Sequence, residues 1–374
     1  MLAVLSAAPL LAQDAPLSNS SVSVNLPLDS PVVLLQLSTG DSRSTPRGPA
    51  LMLDLHLSLM FRNTSPNRIH GVTLRVVSQE VAMGGVGSVF QPGLNVGPGE
   101  VFPVRISTKL MRPTNLPGAL LQINLDGVLF QDFTFYGEDK LHSRRIMTAS
   151  EMEAQRDRAN LKRLLAQGGS EALKNGVLTI LHRQQSLPQL QGRIVRGRTM
   201  TNAAVAAVTA ERNEKFAFLQ FPDGPIELMQ GETLIAGSEV RTPTIRVRNR
   251  TDKQVKYVEL GWVVTDASGN AYSAGSLPST SPSFLLPARG TTDVRQESTL
   301  EFAAKGKPLS INKVTGFVNQ VEFADGKVWI PNRQNMESNP LLMQVLEPSV
   351  EEERLADIYV NLGLPALMEE LKKW

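Results

Sequence analysis

The strongest constraint in this chain is a period of two across residues 254–266. Val258, Leu260, Trp262 and Val264 fall on one face, and Tyr257, Glu259, Gly261 and Val263 on the other. Alternation of this kind marks a β-strand with one face in a core. The preceding run places Ile245 and Val247 inward and Arg246 and Arg248 outward, so residues 249–253 are predicted to form the turn between two antiparallel strands. The stretch Asp266-Ala267-Ser268-Gly269-Asn270 then supplies a left-handed position for a further hairpin.

Residues 62–80 repeat this pattern 186 positions earlier (249 − 63). Val258, Leu260 and Trp262 correspond to Val72, Leu74 and Val76, while Ile245 and Val247 correspond to Leu59 and Phe61. The opposite face, with Thr73 and Arg75 in the first copy, is permissible as a wet surface. A second correspondence, at an offset of 194, pairs Pro31 with Pro225. It also pairs Leu161, Leu164, Leu165, Gly169 and Leu173 with Leu355, Ile358, Tyr359, Gly363 and Leu367. The change of offset places about eight extra residues near the second strand of the first copy, and residues 39–49 are expected to form a polar loop there.

The predicted fold is therefore mainly β with helical appendages: two immunoglobulin-like antiparallel β-sandwiches, each followed by a short helical hairpin. The expected boundaries are a signal peptide over 1–18, sandwich 1 over 19–146 and hairpin 1 over 147–182. A basic linker with a possible strand follows over 183–222, then sandwich 2 over 223–335 and hairpin 2 over 336–374. Asp126-Gly127 and Asp325-Gly326 lie between alternating runs and read as hairpin turns. Ser150 with Glu153 and Ser349 with Glu352 have capping-box spacing, and Gly169 and Gly363 break the two helical patterns.

Residues 1–13 form an apolar run ending in small and polar residues, which predicts export even though a positively charged start is missing. No other window offers the ~20 apolar residues of a membrane helix. The 374 residues contain no cysteine, which removes disulfides, thiolate catalysis and cysteine-held metals. A net charge of +2 gives no electrostatic case for nucleic acid.

The four histidines, at 56, 70, 142 and 182, lack metal-ligand spacing. HExxH and GxSxG are absent, and the glycine-rich residues 83–100 complete no phosphate-binding motif and read as a sandwich edge loop. The expectation is a non-enzymatic chain with no catalytic residue, cofactor or metal. Asn63-Thr64-Ser65 and Asn249-Arg250-Thr251 match the glycosylation sequon, although Asn and Thr also favour such a bend.

Candidate interaction residues come from two features. Residues 172–210 carry Lys174, Arg183, Arg193, Arg196 and Arg198 and no acid, a pattern suited to solvated linker or to contact with an anionic surface. No aromatic residues interleave with these charges, which argues against single-stranded nucleic acid. Trp329 and Tyr257 are candidate contact aromatics, and Tyr359 lies on a hairpin whose apolar stripe must be covered by a sandwich, by the other hairpin or by a second chain. Trp262, Val258, Leu260, Phe61 and Leu74 are expected to be core.

The stretch KYVELGWVVTDASGNAY resembles the immunoglobulin- or fibronectin-III-like sandwiches of bacterial envelope proteins, especially FxLYD-type domains, in which a strand runs into a D-x-x-G-x hairpin. The resemblance covers about 80 residues of the second copy and is looser in the first, which lacks the DASGN turn. It implies an exported, periplasmic or cell-surface module that binds an envelope or extracellular protein. The alternative is an accessory module that binds polysaccharide or an anionic polymer.

Overall fold

The computed structural model describes residues 15–80, 84–187, 190–195, 211–278, 284–295 and 299–374. Most of the expected signal segment lies outside these residues. The chain divides into two compact units, residues 1–151 and 152–374.

The first unit contains β1 (Ala15–Pro16), β2 (Val22–Asn25), β3 (Val32–Ser38), β4 (Arg43–Arg47), β5 (Ala50–Asn63), β6 (Ile69–Val77), β7 (Val86–Gln91), β8 (Val101–Pro113), β9 (Leu121–Phe130) and β10 (Phe135–Tyr136). One sheet is built on β5, which pairs with β3, β4 and β8, with β1 added to β4. The other runs β10-β9-β6-β7, with β2 parallel to β9. Leu53, Leu55, Leu57, Leu59 and Phe61 all point inward from β5 and meet Val72, Leu74 and Val76 of the facing sheet. Phe61 and Leu74 are thus core, as the alternation requires. Residues 43–47, expected within a loop, form β4, because the early part of β5 extends far enough to hold another strand.

The second unit contains β11 (Leu190–Val195), β12 (Arg212–Lys215), β13 (Ala217–Leu219), β14 (Ile226–Ala236), β15 (Glu239–Asn249), β16 (Val255–Asp266), β17 (Ala271–Pro278), β18 (Thr291–Arg295), β19 (Thr299–Ala304), β20 (Lys307–Pro308), β21 (Ile311–Phe323) and β22 (Val328–Trp329). One sheet follows β11-β19-β15-β14-β12, with β18 also on β15, and the other follows β13-β21-β16-β17. Val258, Leu260 and Trp262 are buried between them. The expected linker therefore contributes three strands to this sandwich, and each sandwich includes one parallel pair, β2 on β9 and β13 on β21.

Among the described residues there are also four α-helices: α1 (Ser143–Ser186), α2 (Arg333–Glu337), α3 (Pro340–Val345) and α4 (Val350–Lys372). Ser349 caps α4 as expected, accepting from the Glu352 N–H while the Glu352 carboxylate accepts from the Ser349 N–H. Ser150 and Glu153 do not cap α1. The helix begins at Ser143, because Asp139 accepts from the Arg144 N–H and the Asp126 carboxylate accepts from Ser143 Oγ and the Leu141 N–H. Asp126 itself is no turn residue. Thr73 pairs with Gly127 and Leu74 with Leu125, which leaves Asp126 as a bulge inside a continuous β9, buried and aimed at the start of α1. Asp325-Gly326 does form the expected turn, with Gly326 at φ 81°.

The supposedly wet faces of β6 and β16 are covered. Met147 of α1 packs against Gly71 and accepts a hydrogen bond from Thr73 Oγ1, while Glu151 lies 3.1 Å from His70 Nδ1 with both side chains buried. On β16, Val263 is buried with Phe221, Phe317 and α3 residues Leu342 and Val345. Gly261 is required there, since a Cβ would meet the Phe317 ring at 2.2 Å.

Candidate functional site

The outward face of the β14-β15-β18 sheet carries charges on alternate residues, because the inward positions Ile245 and Val247 are taken by the core. Arg246 donates through Nε and Nη2 to the Asp293 carboxylate at 2.8 and 3.0 Å, and Arg248 pairs with Glu227 one row away. Hydrogen bonds from Arg246 hold the Asp293 carboxyl below its usual range, and Asp293 in turn raises the guanidinium. Lys215, Gln230, Gly231, Glu232 and Thr244 join this pair around an open groove of about 400 Å³. The groove presents charged and polar side chains, two of them held to each other by the Arg246–Asp293 pair.

The second charged assembly lies where the two halves of α1 and α4 meet. Each helix is broken by a glycine, Gly169 at φ 66° and Gly363 at φ 83°, a left-handed geometry that favours the residue without a Cβ. The resulting hairpins bury their stripes on each other: Leu161, Leu173, Val177 and Ile180 against Leu355, Ala356, Leu367 and Leu371.

Around this core Arg158 bonds Glu351 at 3.1 Å, Arg183 bonds Glu352, and Arg333 joins Glu352 at 2.7 Å to Asp157 at 3.5 Å. The Arg158 guanidinium also lies 3.7 Å from the centroid of the Trp374 ring. Desolvation opposes charge on Arg333, yet Glu352 and Glu337 outweigh it and raise the guanidinium above its ordinary range.

The expected interaction residues are therefore dispersed. Arg183 is not a solvated linker charge, because α1 continues to Ser186 and buries it against Glu352. Tyr359 packs partly buried against the helical core rather than facing out. Tyr257 donates to Glu259 on β16 at 2.7 Å. Trp329 packs beside Phe221, with ring centroids 6.1 Å apart, and donates Nε1–H to Asp223 at 3.3 Å. Neither aromatic stands free as a stacking platform. Arg193 lies on β11, whose backbone pairs with β19, while Arg196 and Arg198 lie outside the described residues.

Sequence reasoning missed Asp157 and Arg333, which join the two hairpins. Their local contexts are ordinary charged helix positions, so no signal short of the packed structure singles them out.

No protein family's profile matches the chain, and no curated protein matches it. Among solved structures, it is similar to Northeast Structural Genomics Consortium target SoR45, at 14% identity and a TM-score of 0.18 over 33% of this chain and 82% of that one. It is also similar to red sea bream transglutaminase, at 7% identity and a TM-score of 0.13 over 77% of this chain and 31% of that one. Likenesses this slight carry no argument about activity.

Proposed function

We propose that this chain is an exported, non-enzymatic module of the bacterial cell envelope that binds a protein partner through the faces of its sandwiches. The observation that carries the reading is the mutual burial of the α1 and α4 stripes. With Leu161 and Leu173 packed on Leu355 and Leu367, the helical hairpins have used their main apolar stripes on each other and leave single exposed residues such as Leu178, Val360 and Leu362. The sheets then remain as broad, preorganised faces, one of them lined with held charges around a groove. The apolar start of the sequence and its resemblance to envelope sandwiches support export. In the alternative, polysaccharide-binding reading, Trp329 and Tyr257 would serve as stacking platforms, and their packing and internal hydrogen bonds weigh against it.

In-cell cross-linking of the tagged chain, followed by mass spectrometry of the products and of the mature N-terminus, tests both parts. The expected result is a processed N-terminus and one stoichiometric protein partner. An unprocessed Met1 would overturn export, and a processed chain recovered without a protein partner would overturn the binding reading.

A further inference from the structure

The two sandwiches carry the same three-strand frame on one sheet, in the same register. In the second, β14-β15-β18 places Glu227, Arg248 and Thr291 in one row and Gln230, Arg246 and Asp293 in the next. In the first, β3-β5-β8 places Val33, Arg62 and Val101 in the corresponding row, and Gln36, Met60 and Pro103 in the next. Even the bulge recurs, with Leu35 and Met229 each skipped in the pairing.

On this common frame the chemistry has diverged. The second sandwich satisfies its outward charges internally, through Arg248–Glu227 and Arg246–Asp293. The first keeps the arginine of the Arg248 position as Arg62 but replaces its acidic neighbour with Val33. It also replaces the Arg246–Asp293 pair with Met60 and Pro103. Val33, Leu35 and Val101 stand 40, 44 and 47% exposed around Arg62, itself exposed and in no ion pair with the described residues. Arg105, two residues beyond Pro103, is likewise an exposed cation.

An arginine stripped of its carboxylate within an apolar strip is complementary to one kind of occupant. We propose that this face of the first sandwich docks an extended protein segment that presents a carboxylate between apolar side chains, with the carboxylate on Arg62 and the apolar groups over Val33, Leu35 and Val101. The guanidinium forms a planar, charge-assisted pair with the incoming carboxylate, and desolvation by the flanking valines strengthens that pair. Scattered exposed apolar residues are ordinary on a protein surface; here they flank an arginine whose counterpart in the sister sandwich is paired with Glu227, at the position that Val33 takes in the first. The inference rests on the protein-binding reading above and names its surface.

The test uses the full chain with labelled Val and Leu methyl groups and the peptide acetyl-Val-Leu-Glu-Leu-Val-amide as probe. Saturable shifts confined to Val33, Leu35 and Val101 are expected. Binding should weaken about tenfold when the peptide Glu is replaced by Gln, and again in the Arg62→Glu protein. Val33→Glu, which restores the internal ion pair of the second sandwich, should weaken it similarly. An otherwise unchanged methyl spectrum checks that each variant is folded.

Equal binding of the Gln peptide, shifts elsewhere, or no shifts at millimolar peptide would overturn the proposal. So would concentration-dependent self-association abolished by Arg62→Glu, which would make the occupant a second copy. If the peptide fails while cross-linking in cells still captures a partner, the surface assignment falls and the wider reading stands.

Discussion

Asn63 and Asn249, 186 residues apart (249 − 63), make the same four hydrogen bonds. Each donates from Nδ2 to two carbonyls, of Asn67 and Val96 in the first sandwich and of Lys253 and Pro287 in the second. Each accepts at Oδ1 from the N–H and hydroxyl of the residue two positions on, Ser65 or Thr251. Both asparagines are buried, so each amide closes its turn from inside.

Replacing either asparagine with Ala takes one of two donors from each carbonyl, since Ser65 Oγ, the Ile69 N–H, Thr251 Oγ1 and the Gly290 N–H still reach them, and removes the acceptor of the Ser65 or Thr251 N–H. The cost should be about 1–3 kcal/mol, measurable by urea unfolding. Asp should rescue little, because its carboxylate cannot donate to the two carbonyls. The sequons are correspondingly occluded. Expressed in a glycosylating secretory host, the folded protein should show no mass change on glycosidase treatment, and a glycan on either Asn would contradict the burial.

Glu351→Gln should destabilise the helical assembly by about 3 kcal/mol in chemical denaturation, since it removes a buried carboxylate charge shared by the Arg158 and Arg354 guanidiniums. Joint replacement by Arg158→Met and Glu351→Leu should recover part of that loss, because two desolvated charges are removed together while Arg354 keeps Glu370. A double variant as unstable as the single one would show that the pair adds more than it costs to bury.

Glu370 gives this assembly an acid limb. Burial works to raise its carboxyl, but hydrogen bonds from Lys373 and Arg354, reinforced by the Arg354 charge and the Trp374 Nε1–H, hold it down at about 2. A carboxyl depressed from its ordinary 4.5 contributes stability above that value, and the contribution is lost as pH falls from about 4.5 towards 2. The Glu370 side chain is only 15% exposed, but its partners Arg354 and Lys373 reach solvent, where the pairing is screened, so the loss should be about 1 kcal/mol. Urea midpoints at pH 7 and pH 3 should differ less for Glu370→Gln than for the native chain.

Trp262 packs against Phe216, with ring centroids 5.1 Å apart, and over Gly316, where a Cβ would meet the indole at 2.9 Å. Trp262→Ala should cost about 3–5 kcal/mol through the cavity it leaves. Gly316→Ala should cost about 1–3 kcal/mol by forcing the ring to move. A near-neutral Trp262→Ala would overturn the register assigned to β16.

The strand faces were legible because each rests on its own residues. Leu53 to Phe61 alternate without interruption, and so do Val258 to Trp262. The α4 cap was legible for the same reason, since Ser349 and Glu352 satisfy each other within one turn. Ser150 and Glu153 have the same spacing and no such role, because Asp126 and Asp139, distant or upstream in sequence, had already set the helix start. Asp126-Gly127 misled similarly: a bulge and a turn share the dipeptide, and only the pairing of β6 across β9 separates them.

By itself, then, the sequence determined a duplicated, mainly β chain with glycine-broken helices, because periodicity, capping and turn chemistry act over a few residues. Tertiary structure decided what those elements meet. It placed the α1 stripe on α4, put Arg183 on Glu352, covered β16 with α3, and left Arg62 among valines where its counterpart Arg248 holds Glu227. Such choices depend on contacts between residues far apart in the chain, where a leucine stripe or an arginine carries the same local signal whichever partner finally buries or faces it.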